Sequence, residues 1–220
     1  MFTATNAGNI QVGQNGLTAR NGASGTVNNA GGIIATTGAV TDKAAVLAQS
    51  GGSLTLSGGS VSASGQDSRG LYASGSPGVT STLVATNVAV STNGQGAMGV
   101  RTNAPAQITL NNVTIQTQGN DARGVLAQHN GTVVFNGGSV NTLNDLGDGM
   151  TAVGGDPGIL GGTITATDVV ITTAGARAYG AAQSPSTAMT SSRARAPCVS
   201  APRSIPVPPA RSRSPAAAPV

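Results

Sequence analysis

Gly94-x-Gly96-x-x-Gly99, followed at a distance by Asp121, has the letter spacing of a dinucleotide-binding loop. In such a loop the glycines admit a pyrophosphate close to the backbone, and a helix opening there turns its N-terminus toward the charge. The next residues, Val100-Arg-Thr-Asn-Ala-Pro105, are short, β-prone and closed by proline. No helix starts, and the cofactor reading is rejected. Asp67-x-Arg69-Gly70 and Asp121-x-Arg123-Gly124 also recur and could form a charged ridge or a carboxylate–guanidinium site. The rung between them has Gly96 and Met98 at those places, so no charge ladder forms. The pair reads as solvated turns in which aspartate bonds the local backbone.

Asp145, Asp148 and Asp156 invite a calcium reading, but they lack the regular glycine–aspartate spacing of calcium-binding β-rolls. They read as exposed corner residues. His129 is the only histidine and lies in the turn Gln128-His-Asn-Gly131. It has no cysteine or histidine partner for a metal and no serine–aspartate set for nucleophilic catalysis. Glutamate is absent and lysine appears once, so the clustered acids and bases of a polysaccharide-cleaving enzyme are missing. No catalytic, cofactor-binding or metal residue is assigned. The chain is expected to be non-enzymatic and to need no cofactor.

The glycines and aspartates of these motifs belong to a larger repeat. Five segments pair two alternating apolar runs: Leu54 to Val61, Leu83 to Val90, Ile108 to Ile115, Val133 to Val140 and Ile164 to Ile171. Nine residues after each stands a glycine that opens a third run, at Gly70, Gly99, Gly124, Gly149 and Gly180. Alternation is the period of a half-buried strand, and the intervening asparagines and glycines suit turns with positive φ. Each unit of about 25–31 residues thus predicts three short strands forming one triangular rung, which buries its apolar face only by stacking on its neighbours. Stacking yields three aliphatic columns: Leu54, Leu83, Ile108, Val133, Ile164; Val61, Val90, Ile115, Val140, Ile171; and Leu71, Val100, Val125, Met150. β-branched residues fit this pleated surface. The fold class is all-β, a parallel β-helix.

Insertions at Ser74–Gly78 and Gly154–Gly158 fall after the third strand, where a loop can bulge without disturbing the columns. The domain spans residues 1–183, with residues 1–44 irregular: Ala45-Val46-Leu47-Ala48 matches a third strand, but Ile33 to Val40 lies too close to it. The pattern stops near Gln183. Residues 184–220, rich in proline, arginine, serine and alanine, read as a disordered tail, either a natural linker or a stretch translated out of frame.

Charge follows the same division. Residues 1–184 carry six basic and seven acidic residues, whereas the last 36 carry five arginines and no acid, so the high pI describes the tail. A nucleic-acid interface would need a basic face with aromatic or groove-reading elements, and the repeats offer neither. Cys198, the lone cysteine, cannot form an intrachain disulfide. The N-terminus lacks the basic start and apolar stretch of a signal peptide, and no run is long enough for a membrane helix.

The repeats Gly51-Gly-Ser-Leu-Thr-Leu-Ser-Gly-Gly-Ser-Val-Ser-Ala-Ser-Gly65, Asp67-Ser-Arg-Gly-Leu-Tyr-Ala73 and Asn111-Asn-Val-Thr-Ile-Gln-Thr-Gln-Gly-Asn-Asp-Ala-Arg-Gly-Val-Leu-Ala127 resemble the pertactin-like passenger domains of bacterial autotransporters. The resemblance covers about residues 45–183. It implies a right-handed parallel β-helix, exported by type V secretion and displayed on, or released from, the outer membrane of a Gram-negative bacterium. The signal peptide and membrane β-barrel of that family have no counterpart here, so the chain is expected to be a passenger fragment. The family's Arg-Gly-Asp adhesion triplet is also absent.

The function expected is a surface or secreted adhesion-type interaction module, of the kind associated with virulence. Its partners would be a host-surface protein or glycan, or a second copy joined through exposed solenoid ends, with no nucleic acid and no insertion of this segment into the membrane. The loops at Ser74–Gly78 and Gly154–Gly158 are the first candidate contacts. Alternatives are a polysaccharide-active β-helix enzyme and the non-functional product of a disrupted gene. An ice-binding face is disfavoured because Thr-x-Thr pairs such as Thr165/Thr167 do not recur in every rung.

Overall fold

The computed structural model describes residues 1–37, 43–154, 160–183 and 189–192. It is all-β, a parallel solenoid without helices among the described residues. The first coil holds β1 (Phe2–Thr5), β2 (Asn9–Val12) and β3 (Leu17–Arg20), and the second β4 (Ser24–Asn28), β5 (Ile33–Thr36) and β6 (Ala44–Gln49). The third has β7 (Ser53–Ser57), β8 (Ser60–Ala63) and β9 (Arg69–Ser74), and the fourth β10 (Ser81–Thr86), β11 (Ala89–Thr92) and β12 (Met98–Asn103). From the fifth coil the first two arms fuse into one bent strand, giving β13 (Ala106–Thr117) with β14 (Arg123–Ala127). The sixth follows as β15 (Gly131–Thr142) with β16 (Met150–Ala152), and the seventh as β17 (Thr163–Thr173) with β18 (Ala181–Gln183). β19 (Met189–Ser192) opens another coil by pairing with β17. The sheet therefore continues past Gln183, where the repeat was expected to stop. The remainder of the expected disordered tail, residues 184–188 and 193–220, lies outside the described residues.

First and second arms together make a 12-stranded sheet, and the third arms a separate 7-stranded sheet with one strand per coil. Every ladder between coils is parallel and brings like residues together: Leu54, Leu83, Ile108, Val133 and Ile164 are consecutive partners, as are Val61, Val90, Ile115, Val140 and Ile171. Leu71, Val100, Val125 and Met150 form the third column. All are buried, alongside a companion column in which Phe135 lies between Leu110 and Ala166. Each fully buried aliphatic side chain contributes about 1.5–3 kcal/mol, and stacking is the only way so thin a coil can collect that sum.

Turns explain how the repeat closes. The corner between first and second arms carries Gly58, Asn87, Asn112, Gly137 and Asp168 at one stacked position, all with positive φ. Asparagine, aspartate and glycine are the residues that reach this region at least cost. At this corner Asn112 Nδ2 donates to Asn87 Oδ1 (2.8 Å), and on the adjoining column Asn136 Nδ2 donates to Asn111 Oδ1 (3.1 Å). The third-arm glycines, twelve residues after this corner, have a different cause. A β-carbon on Gly70, Gly99, Gly124 or Gly149 would collide with Val90, Ile115, Val140 or Ile171 and with the backbone oxygen of the next glycine.

The strands within residues 2–36 and 44–49 join the same sheets in the same register. Their pattern is hard to see because residues 29–32 span a corner that residues 58–59 cross later, and because Gly25 stands in the leucine column. The ring of Phe2, one coil below, occupies the place a side chain at Gly25 would take. Inside that wider corner Asn29 is fully buried, donating through Nδ2 to the carbonyls of Gly32 (3.1 Å) and Ser60 (3.3 Å) and accepting from Asn6 (2.6 Å).

Candidate functional site

The structure places the motif residues at corners of the stack. Gly96 turns at φ 65° and Gly99 lies in β12, so the glycine-rich segment leads into a strand. Asp121 is the corner residue next to Gly96 one coil on, joined through the Gly96 N–H to Asn120 carbonyl bond (2.9 Å). The column Asp67, Gly96, Asp121, Leu146, Arg177 has positive φ throughout. Aspartate here supplies a backbone conformation, and the Asp121 carboxylate accepts from Arg123 (3.3 Å) where a bond to the local backbone was expected. Met98 lies between Arg69 and Arg123 in register, which interrupts that column of charge.

Asp145 and Asp148 clamp the following coil. Asp145 Oδ1 accepts from Ala176 N–H (2.8 Å), and Asp148 Oδ1 from Tyr179 N–H (3.1 Å). Asp148 Oδ2 also accepts from the Thr151 hydroxyl (3.2 Å). Asp156 lies outside the described residues. No group of three or more potential metal ligands occurs among the described residues. His129, at φ 50°, holds Asn103 Oδ1 through Nδ1 (2.7 Å) and serves as a corner pin. The Ser74–Gly78 insertion closes in a tight antiparallel turn between Ser76 and Val79, its base tied by the buried Ser81 hydroxyl to the Ser74 carbonyl (2.8 Å) and the Gly51 N–H (3.0 Å). The second candidate contact loop is described only at Gly154.

A different place gathers chemistry. On the outer face of the third sheet, across the first four coils, a shallow polar groove of about 390 Å³ is lined by Asn15, Arg20, Leu47, Gln49, Arg69, Tyr72 and Arg101. Register builds it. Leu47, Tyr72 and Arg101 stack in one column, Arg20 and Gln49 in a second, and Arg69 lies beside Ala44 in a third. The Arg69 guanidinium carbon lies 4.6 Å from the Tyr72 ring centroid and that of Arg101 lies 5.6 Å from it. Both distances fall within cation–π range. Arg69 is 5% exposed, and both arginines have further interactions. Asn15 is fixed as well, its Oδ1 accepting from Ala44 N–H (2.9 Å).

Three of the five arginines before residue 184 thus converge with the only aromatic ring of the third and fourth coils. Farther along the same sheet, Arg123 is matched by Asp121 and by Asp148 at 4.0 Å. The groove escaped the repeat reading because its residues occupy different places in their coils. Arg69 precedes the column glycine, Arg101 follows its glycine by two, and Arg20 lies four beyond Gly16. No motif repeats; only the stacking of coils joins them.

No protein-family model, curated protein or solved structure matches this chain.

Proposed function

We propose that this chain is a non-enzymatic binding segment displayed on, or released from, a bacterial surface, as its resemblance to autotransporter passengers suggests. The observation that carries the reading is the convergence of Arg20, Arg69, Tyr72 and Arg101 on one groove of a solenoid in which Asp67, Asp121, Asp168 and Arg177 sit at positive-φ corners. A long parallel stack offers flat, rigid faces and little concavity, which suits recognition of an extended partner better than enclosure of a reacting one. The aspartates also favour binding over catalysis: Asp145 and Asp148 hold backbone N–H groups, and Asp121 faces Arg123. None of the three lines the groove, where a glycosidase would need a pair of carboxylates flanking the scissile bond.

Antibodies raised against the whole chain should label intact source cells. External protease should remove that label while a cytoplasmic marker survives. Labelling only after lysis overturns the surface reading.

A further inference from the structure

We infer that the outer face of the second arms, across β8, β11, β13 and β15, binds a neutral polysaccharide laid along the solenoid axis. The inference rests on the reading of the chain as a binding segment and assigns it a second face with a ligand class.

Register builds two outward columns on this face. Ser60, Ala89, Thr114 and Ser139 are consecutive partners in one, and Ser62, Ser91, Gln116 and Asn141 in the other. A shallow groove of about 260 Å³ lies over them, and a hollow of about 110 Å³ meets it at Ser91, where Asn93 and Gln118 add two more amides. No described residue lining either of them is ionisable. On the first arms the outward groups are spent on one another: Thr82 Oγ1 donates to Ser53 Oγ (2.8 Å), and Asn136 Nδ2 to Asn111 Oδ1 (3.1 Å). On the second arms no side-chain bond of this kind joins the lining residues among those described, so their hydroxyls and amides stay free for a ligand. Asn141 Oδ1, in the groove, and Thr92 Oγ1, in the hollow, are buried atoms without a hydrogen-bond partner, and Thr92 is 2% exposed. Each recess thus holds a polar group that the protein itself does not satisfy, and a buried group left unpaired is costly.

The ligand class follows from what these columns offer. Amides and hydroxyls both donate and accept, as sugar hydroxyls do. An uncharged row suits an uncharged chain. A peptide would add as a strand at a sheet edge, but each of the four strands is already paired on both sides. A nucleic acid would draw on cations for its phosphates and on rings for its bases, and the columns carry neither. The columns cross four successive coils, and stacked strands lie about 4.8 Å apart, so the row extends about 14 Å along the axis. Several linked sugars fill that length; a single sugar would use only part of it.

The test is calorimetric titration of the full chain with cellohexaose, laminarihexaose and mannohexaose, with sorbitol as a flexible polyol for comparison. At least one hexasaccharide should bind, sorbitol should not, and added salt should leave the affinity unchanged because no charge is neutralised. Gln116→Ala and Asn141→Ala should each weaken binding about fivefold, the effect of one lost hydrogen bond, with thermal unfolding unchanged. Ala89→Arg, at an exposed position in the middle of the groove, should abolish binding without disturbing the core. Thr109→Ala, outward on the first arms, should leave binding within about twofold, since it removes no group from the groove. Sedimentation of the parent and of Ala89→Arg reports whether a second copy uses the same face.

The inference is overturned if none of the hexasaccharides binds, if sorbitol binds as tightly, or if Ala89→Arg leaves binding intact. A dimer that Ala89→Arg dissolves, with no sugar bound by the parent, gives the face to a second copy and overturns it too. Failure here with surface labelling intact leaves the display reading standing. Binding without surface labelling removes display alone.

Discussion

Gly99 and Ile115 claim the same space: a β-carbon on Gly99 would overlap the Ile115 Cγ2 of the next coil. The glycine column is therefore a packing requirement. Gly99→Ala should cost about 1–3 kcal/mol, the usual penalty for overfilling a core. Gly13→Ala, where nothing lies within 4 Å, should change stability by less than about 0.5 kcal/mol. Urea denaturation of both variants checks this, and equal losses would contradict the packing account.

The corner asparagines permit a separate test of backbone geometry. Asn112 has φ 52° and donates to Asn87. A β-branched residue in that conformation costs about 1–3 kcal/mol, so Asn112→Val should lose that much. Asn112→Gly gives up an exposed side-chain bond but takes positive φ freely, and should stay within about 1 kcal/mol of the parent. Thermal unfolding of the two variants separates conformation from the ladder bond.

Ile115 is 1% exposed at the middle of its column, between Val90 and Val140. Ile115→Asp buries a carboxylate with no partner, at a cost of several kcal/mol. Hydrogen exchange should speed up in the fourth to sixth coils first, because each coil is held by its neighbours. Unchanged thermal unfolding would refute the column.

The Asp121–Arg123 pair should matter little. Its side chains are 31% (Arg123) and 54% (Asp121) exposed, and pairs of this kind contribute about 0–1 kcal/mol. Asp121→Asn preserves a residue suited to the positive-φ corner, so its melting temperature should move by no more than a few degrees. Adding salt should not widen the difference between the two proteins.

Much of the architecture was legible because apolar identity repeats. Leucine, isoleucine and valine return at fixed offsets from each glycine, and the structure stacks them as that spacing requires. The first coils were less legible for a local reason: Phe2 supplies from a neighbouring coil the bulk that Gly25 lacks, an exchange invisible to a column-by-column reading. β19 was missed because Met189–Ser192 has neither the glycine nor the aliphatic pair that marks the other coils. The groove was illegible in principle. Arg20 and Arg101 are 81 residues apart in sequence and meet through register alone, and a repeat search discards residues that differ from coil to coil.

That separation between what repeats and what varies has an evolutionary consequence. Inward positions are locked by every coil above and below, whereas the outward places around each third-arm glycine form a grid on which one residue can be exchanged without moving the lattice beneath. Surface chemistry can change by single substitutions, each shifting a charge by one coil or one column, while the scaffold stays constant. A one-residue insertion inside a strand would invert the later side chains of that strand, but one after the third arm, as at Ser74–Gly78, adds only a surface loop. A chain built this way can vary its surface while its core stays fixed.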